Sequence, residues 1–137
     1  PRPGLKVVRL SNVVGPMQPA STFVGSLLEE ACARGEVAIR QPSNTSKNYV
    51  ALADVVRLLP LIAEQGRHRL YNLGSSENSS HAQVAAWLER QGFKVQFVSD
   101  AALNSCPSFK PLMINRLASE FPLPGDPFKL STLHKFL

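Results

Sequence analysis

The stretch VVRLSNVVGP, residues 7–16, decides how the chain is read. Val7, Val8 and Leu10 form an apolar run broken only by Arg9. That is the composition of a strand covered on both faces, as in a parallel sheet. Ser11 and Asn12 follow, and Gly15-Pro16 stops the segment. In an open parallel sheet, ligands sit beyond the carboxyl ends of the strands, so a residue leaving such a strand points toward a cleft. Asn12 offers a donor and an acceptor on a short stem, which suits a diphosphate or a sugar hydroxyl. Asparagine also bonds the backbone of its own turn, and the local pattern leaves both roles open.

Outward from this strand the periodicity alternates between extended and helical. Ser21 reads as a helix N-cap, with Phe23, Val24, Leu27, Leu28 and Ala31 on one stripe and Gly35 just past the end. Residues 36–40 read as a strand and 41–47 as a polar loop. Asn48–Val50 is extended, and a helix begins near Leu52. Its inner side is expected to hold Val55, Val56, Leu59 and Ile62, with Asp54 against the dipole, Pro60 inside and Gly66 at the end. Residues 69–74 form a further strand. Ser80 with Gln83 makes a capping box for a helix that buries Val84, Trp87 and Leu88 and stops at Gly92. Residues 94–98 alternate as a strand. Beyond Asp100 the chain turns irregular and proline-containing over 101–137. Helical turns are expected over 101–105 and 112–120, and a packing turn at 128–137 through Phe128, Leu130, Leu133 and Phe136. The order of elements is α/β, with no glycine-rich strand–turn–helix anywhere.

Composition bounds the function. A chain of 137 residues, 44% hydrophobic and 18% charged, is globular and large enough for a single small domain. The net charge of +5 is scattered, with no run of four basic residues, which speaks against a nucleic-acid face and for a small anionic ligand. Cys32 and Cys106 lack metal or redox spacing, and Cys32 is expected as a buried free thiol. His68, His81 and His134 are isolated, so no metal site is expected. Apolar stretches are too short to span a membrane, and a cytoplasmic setting is the expectation. Lys47 and Arg40 flank the polar loop; each suits a phosphate, and each equally suits a solvated loop. Free N–H groups at the helix opened by Ser21 and Thr22 could also attract phosphate, although simple capping explains those residues.

Three segments in register carry a family resemblance. VVRLSNVVGP resembles the R-x-x-N-x-Y-G-P turn of the NAD-dependent epimerase/dehydratase family, the extended short-chain dehydrogenase/reductases. SKNYVALADVVRLLPLI is similar to that family's R-D-[YWF]-V-x-V-x-D-[VL]-A segment, and LYNLGSSENSSHAQVAAWL to its Y-N-[IV]-G strand and helix. Order and spacing match over residues 5–92. The resemblance implies a Rossmann-type α/β fold and places the chain as the C-terminal substrate-binding portion, without the N-terminal dinucleotide-binding half. The catalytic Tyr-x-x-x-Lys pair would lie upstream, so no catalytic residue is expected here. NAD or NADP would serve the full-length parent and would not bind tightly to this chain alone.

Position by position, Asn12 matches the asparagine near the substrate diphosphate or the nicotinamide end of the cleft, with Ser11 beside it. Lys47 stands where the family has a substrate-binding arginine, Asn48 where it has aspartate, and Tyr49, Val50 and Asp54 match as they are. Ser11, Asn12, Arg40, Lys47 and Tyr49 are therefore the expected substrate-binding residues, for a nucleotide sugar or a related anionic substrate. Val14 in place of tyrosine, and a lysine that lacks the planar two-pronged fork, are departures. The closing PFKLSTLHKFL resembles the end of thioester-reductase domains, which act on carrier-bound acyl chains. That substrate class, and a stand-alone non-catalytic binding module of the same fold, are the alternatives. Uncovered apolar surface would make the chain a homo-oligomer.

Overall fold

The computed structural model describes residues 4–98, 108 and 110–123. In chain order its elements are β1 (Val7–Leu10), β2 (Asn12–Val14), α1 (Phe23–Arg34), β3 (Glu36–Ile39), β4 (Ser46–Lys47), β5 (Tyr49–Ala51), α2 (Leu52–Gln65), β6 (Leu70–Leu73), β7 (Ser79–Ser80), α3 (His81–Arg90), β8 (Lys94–Phe97) and α4 (Asn115–Glu120). The chain falls into two compact units. Among the described residues, the first holds 4–14, 48–78 and 111–123, and the second holds 15–47, 79–98, 108 and 110.

The first unit is built on two parallel strand pairs. β1 pairs with β6, Val7 opposite Leu70 and Leu10 opposite Leu73. β2 pairs with β5, Asn12 opposite Tyr49. Side chains alternate across a strand, so Val8, Tyr71 and Leu73 share one face of the first pair. They pack against Val55, Leu58 and Ile62 of α2, with Leu117 of α4 and Phe121 just after it. The buried positions of α2 step by three and four, as one face of a helix must. That register turns Val56 outward, 65% exposed, where the sequence pattern had placed it inside. Pro60 lies within α2 on an exposed position, where water can satisfy the carbonyl its missing N–H leaves free.

β1 departs from expectation. Val7 is 43% and Leu10 46% exposed, because β1 has β6 as its one strand partner among the described residues. An apolar strand sequence records what the strand could bury, and here only Val8 is packed on the core.

In the second unit, α1 is capped by Thr22, whose Oγ1 accepts from the Gly25 N–H at 3.1 Å; the cap sits one residue later than Ser21. Val24, Leu27, Leu28 and Ala31 are buried as their spacing predicts. Gly35 ends the helix at φ 71°, a left-handed conformation that a residue without Cβ adopts freely. Cys32 is exposed, not buried: it lies one position past Ala31, about 100° around the helix from the packed stripe. The expected capping box opens α3, with Ser80 Oγ accepting from Gln83 N and Gln83 Oε1 from Ser80 N. Val84, Ala85, Trp87 and Leu88 are buried. β3 and β8 pair in parallel. β4 and β7 form a two-residue antiparallel ladder, so Ser46 and Lys47 are strand where a loop was expected. Cys106, His134 and the turns expected over 101–105 and 128–137 lie outside the described residues.

Candidate functional site

Asn12 opens β2 and is exposed. Its backbone N–H and its Nδ2 both donate to the Asn48 carbonyl, at 3.2 and 2.8 Å. The side chain therefore clamps the start of the neighbouring strand rather than its own turn. That clamp fixes the carboxamide and leaves Oδ1 without a protein partner among the described residues. Ser11 joins β1 to β2; its N–H donates to Leu73 O at 3.0 Å. Its Oγ is buried and makes no hydrogen bond. Two side-chain oxygens thus stand unfilled where parallel β1 gives way to β2.

Asn48 holds this corner together, a role its match to a family aspartate did not reveal. It is 3% exposed. Its Nδ2 donates to Ser75 O at 3.0 Å, Glu77 O at 3.2 Å and Asn78 Oδ1 at 3.0 Å, while its Oδ1 accepts from Ser75 N at 3.0 Å. Three acceptors around one nitrogen demand an amide; a carboxylate oxygen in place of Nδ2 would face those three oxygens with no hydrogen to offer. Gly74 makes the approach possible, since a Cβ at that position would overlap Asn48 Oδ1 and crowd Leu112 Cδ1 and Ser11 Oγ.

Tyr49 follows Asn48 into the core, 2% exposed, and burial pushes its phenol well above the usual range. It stays neutral and packs within the unit. Val14 is likewise buried, 1% exposed. The apolar residue that stands for a tyrosine there fills the core, and its side chain does not report the polarity of a substrate.

In the second unit, the Lys47 ammonium lies 4.8 Å from the centre of the Phe23 ring, a cation–π contact. Phe23 in turn stacks on His81, ring centres 4.2 Å apart and planes at 25°. The His81 ring is fully buried, and neither ring nitrogen makes a hydrogen bond of good geometry. Burial, then the Lys47 charge, lowers its pKa to about 4, and the Pro42 carbonyl opposes this only weakly. His81 is thus a neutral packing group. Arg40 is 59% exposed and lies 3.7 Å from Glu30 Oε1, an exposed pair of little energetic weight. The five expected residues accordingly divide: Ser11, Asn12 and Tyr49 come together in the first unit, Arg40 and Lys47 belong to the second. Among the described residues no three His, Cys, Asp or Glu side chains are grouped to hold a metal, and no helix is long and apolar enough to cross a membrane.

Known structures share this fold. No protein-family model and no curated protein matches the sequence. The chain has the α/β fold of the C-terminal portion of extended short-chain dehydrogenase/reductases. It superposes on an NAD-dependent NDP-hexosamine 5,6-dehydratase of tunicamycin biosynthesis at TM-score 0.79 and 18% identity, over 94% of this chain and 43% of that one. It matches the UDP-glucuronic acid 4-epimerase of Bacillus cereus, in complex with UDP-glucuronic acid and NAD, at 0.74 and 16%, over 96% and 43%. It matches a dTDP-glucose 4,6-dehydratase of Streptomyces venezuelae with NAD bound at 0.75 and 16%, over 96% and 42%. The chain therefore spans less than half the length of each of these enzymes. At such identities the likeness establishes the fold.

The dinucleotide implied by that fold does not fit these residues as a whole. No glycine-rich turn is present in the sequence to take its phosphates. The close-approach glycine at the strand ends, Gly74, faces Asn48, Leu112 and Ser11 rather than open space. Of the two unfilled oxygens, Ser11 Oγ is enclosed by protein and Asn12 Oδ1 belongs to an exposed residue, which suits one amide or hydroxyl group and not a whole dinucleotide.

Proposed function

We propose that the chain is the substrate-binding portion of an NAD(P)-dependent epimerase, dehydratase or reductase whose substrate is a nucleotide-linked sugar. The observation that carries this reading is the Asn12 carboxamide, held by the Asn48 carbonyl at the carboxyl end of a parallel strand, with Oδ1 unfilled. Ligand contacts are assigned unit by unit. In the first, Asn12 Oδ1 accepts from a sugar or ribose hydroxyl, while the buried Ser11 hydroxyl and buried Tyr49 act through the packing of the strand junction and of β5. In the second, Lys47 and Arg40 supply cations for a phosphate. The fold of the nucleotide-sugar enzymes supports the substrate class. This portion orients substrate and excludes water, a positioning role. Hydride transfer belongs to a nicotinamide held elsewhere in the parent enzyme.

Calorimetric titration of the chain with UDP-glucose, glucose and NAD tests the proposal. Weak UDP-glucose binding near ~1 mM, lost in Asn12→Ala, with no measurable NAD binding, is expected. Equal affinity for glucose and UDP-glucose, or an Asn12→Ala variant that binds as well as the parent, overturns it. Reductase activity on carrier-bound acyl thioesters, in a longer polypeptide carrying this sequence, would favour the acyl substrate class instead.

A further inference from the structure

Within the second unit, Lys47 is a cation assigned to a phosphate, and a lysine serves that task well only when it is held. Its charge is a compact point on a flexible four-carbon stem, without the rigid fork of an arginine. Ordering such a side chain at the moment of binding subtracts from affinity. Here the ordering is built in beforehand. Lys47 Nζ lies 4.8 Å from the centre of the Phe23 ring, within cation–π range. Among the described residues Lys47 takes part in no ion pair, whereas Arg40 already sits beside Glu30.

The ring under the ammonium is itself fixed. Phe23 opens α1 directly after the Thr22 cap, and its face stacks on His81 at a ring-centre distance of 4.2 Å. His81 opens α3 and is fully buried. The backbone of this same residue holds the segment that carries Lys47. His81 N–H donates to Thr45 O at 2.9 Å, and the next N–H, that of Ala82, donates to Ser43 O at 2.9 Å. Lys47 then pairs with Ser79 in the β4–β7 ladder, two residues ahead of His81. His81 thus fixes both the strand bearing the lysine and the ring on which its ammonium rests. Burial, then the Lys47 charge, keeps the imidazole uncharged at neutral pH, so it does not repel that ammonium.

We propose that Phe23 and His81 are positioning residues for phosphate recognition: their stack holds the Lys47 ammonium ready for the diphosphate of a nucleotide-linked substrate. The proposal rests on the phosphate role given to Lys47 above, and it adds what lets a lysine fill that role.

Proton resonances of the intact chain, titrated with inorganic pyrophosphate, test it. The ε-methylene protons of Lys47 are expected upfield of those of Lys6 and Lys94, through the ring current of Phe23, and should move as pyrophosphate binds. Phe23→Leu should return them to the ordinary lysine position and weaken pyrophosphate binding about fivefold, the scale of an exposed cation–π contact. Phe23→Tyr, which restores a ring, should recover both. His81→Leu should lose part of the upfield displacement, and His81→Phe, which keeps a flat ring, should retain it. Lys47 ε-protons at the ordinary position in the parent chain overturn the proposal without any variant. So does a Phe23→Leu chain with the shifts and affinity of the parent, or a loss that Phe23→Tyr fails to recover; each leaves the phosphate role of Lys47 standing. Pyrophosphate that fails to bind the parent, or binds without moving Lys47, overturns that role instead, and the positioning role with it.

Discussion

Replacing Asn48 by aspartate is the most incisive perturbation of the first unit. The change is isosteric, so packing is retained and only hydrogen-bond polarity alters. Asn48 Nδ2 now donates to the oxygens of Ser75, Glu77 and Asn78. In Asn48→Asp a carboxylate oxygen would face those three acceptors from a residue 3% exposed. Losing the two N–H groups removes about 1 kcal/mol of net stabilisation for each hydrogen bond, and every buried oxygen left without a donor adds ~1–3 kcal/mol. A loss of about 3–5 kcal/mol at neutral pH follows, a large share of the ~5–15 kcal/mol that holds a domain of this size folded. The variant also acquires a pH signature. A buried carboxyl among acceptors is more basic than in the unfolded chain, since its protonated form can donate to one of them. The folded state then holds more protons than the unfolded state above the ordinary aspartate range, and stability falls as pH rises, by at most ~1.4 kcal/mol per pH unit. Urea denaturation followed by far-ultraviolet circular dichroism, at several pH values, reads both effects. An Asn48→Asp protein within ~0.5 kcal/mol of the parent at pH 7, or one whose deficit does not grow from pH 4 to pH 7, refutes the assignment of Asn48 as an obligatory donor.

Other predictions concern separate clusters. Tyr71 donates to Glu120 Oε2 at 2.7 Å and accepts from His68 N at 2.8 Å, so Tyr71→Phe should lower stability by about 1–2 kcal/mol in the same denaturation assay, and no change would deny the clasp a role. The Tyr71 hydroxyl, then the Arg67 N–H, hold the Glu120 carboxyl below the usual range. Its contribution is present above the ordinary glutamate pKa and is lost as pH falls through the lower folded value, so the acid limb of the stability profile should flatten in Glu120→Gln. His81 behaves oppositely in protonation: with its folded pKa near 4 it is neutral when buried, and the unfolded chain binds the extra proton between pH 6.5 and 4. Fluorescence of Trp87, buried on α3, should report falling stability across that window, and the stacking-competent His81→Phe should remove the slope. Gly74→Ala should cost about 1–3 kcal/mol by overpacking and release the Asn48 side chain, visible as faster hydrogen exchange at Ser75.

Much of the fold is legible in the sequence, for reasons that are local. The Ser80–Gln83 box, the Val24–Ala31 stripe and the Gly35 stop each act within one or two helical turns, so spacing alone locates them. The β1 and β6 strands are legible as apolar segments, but the exposure of Val7 and Leu10 is not, because composition records what a strand can bury and not what covers it. The site is less legible. Asn12 is singled out by its place after a strand, yet its bond reaches Asn48, 36 positions away. The Asn48 hub needs a loop 27–30 residues further on, and nothing in the local pattern announces it. The stack of Phe23 on His81 is hidden for the same reason: each residue reads locally as an isolated ring near a helix start. Val56 and Cys32 fail differently, since each lies a single residue from a packed position and the period of 3.6 turns it out.

The central claim is that the Asn12 carboxamide, fixed by the Asn48 carbonyl, presents its free oxygen to a nucleotide-linked sugar. Observing the Asn12 side-chain amide resonances directly, during titration of the chain with UDP-glucose, tests it most closely. A saturable shift of that amide pair, absent with NAD, is the predicted result. A side-chain amide that stays fixed while other resonances move to saturation would contradict the account.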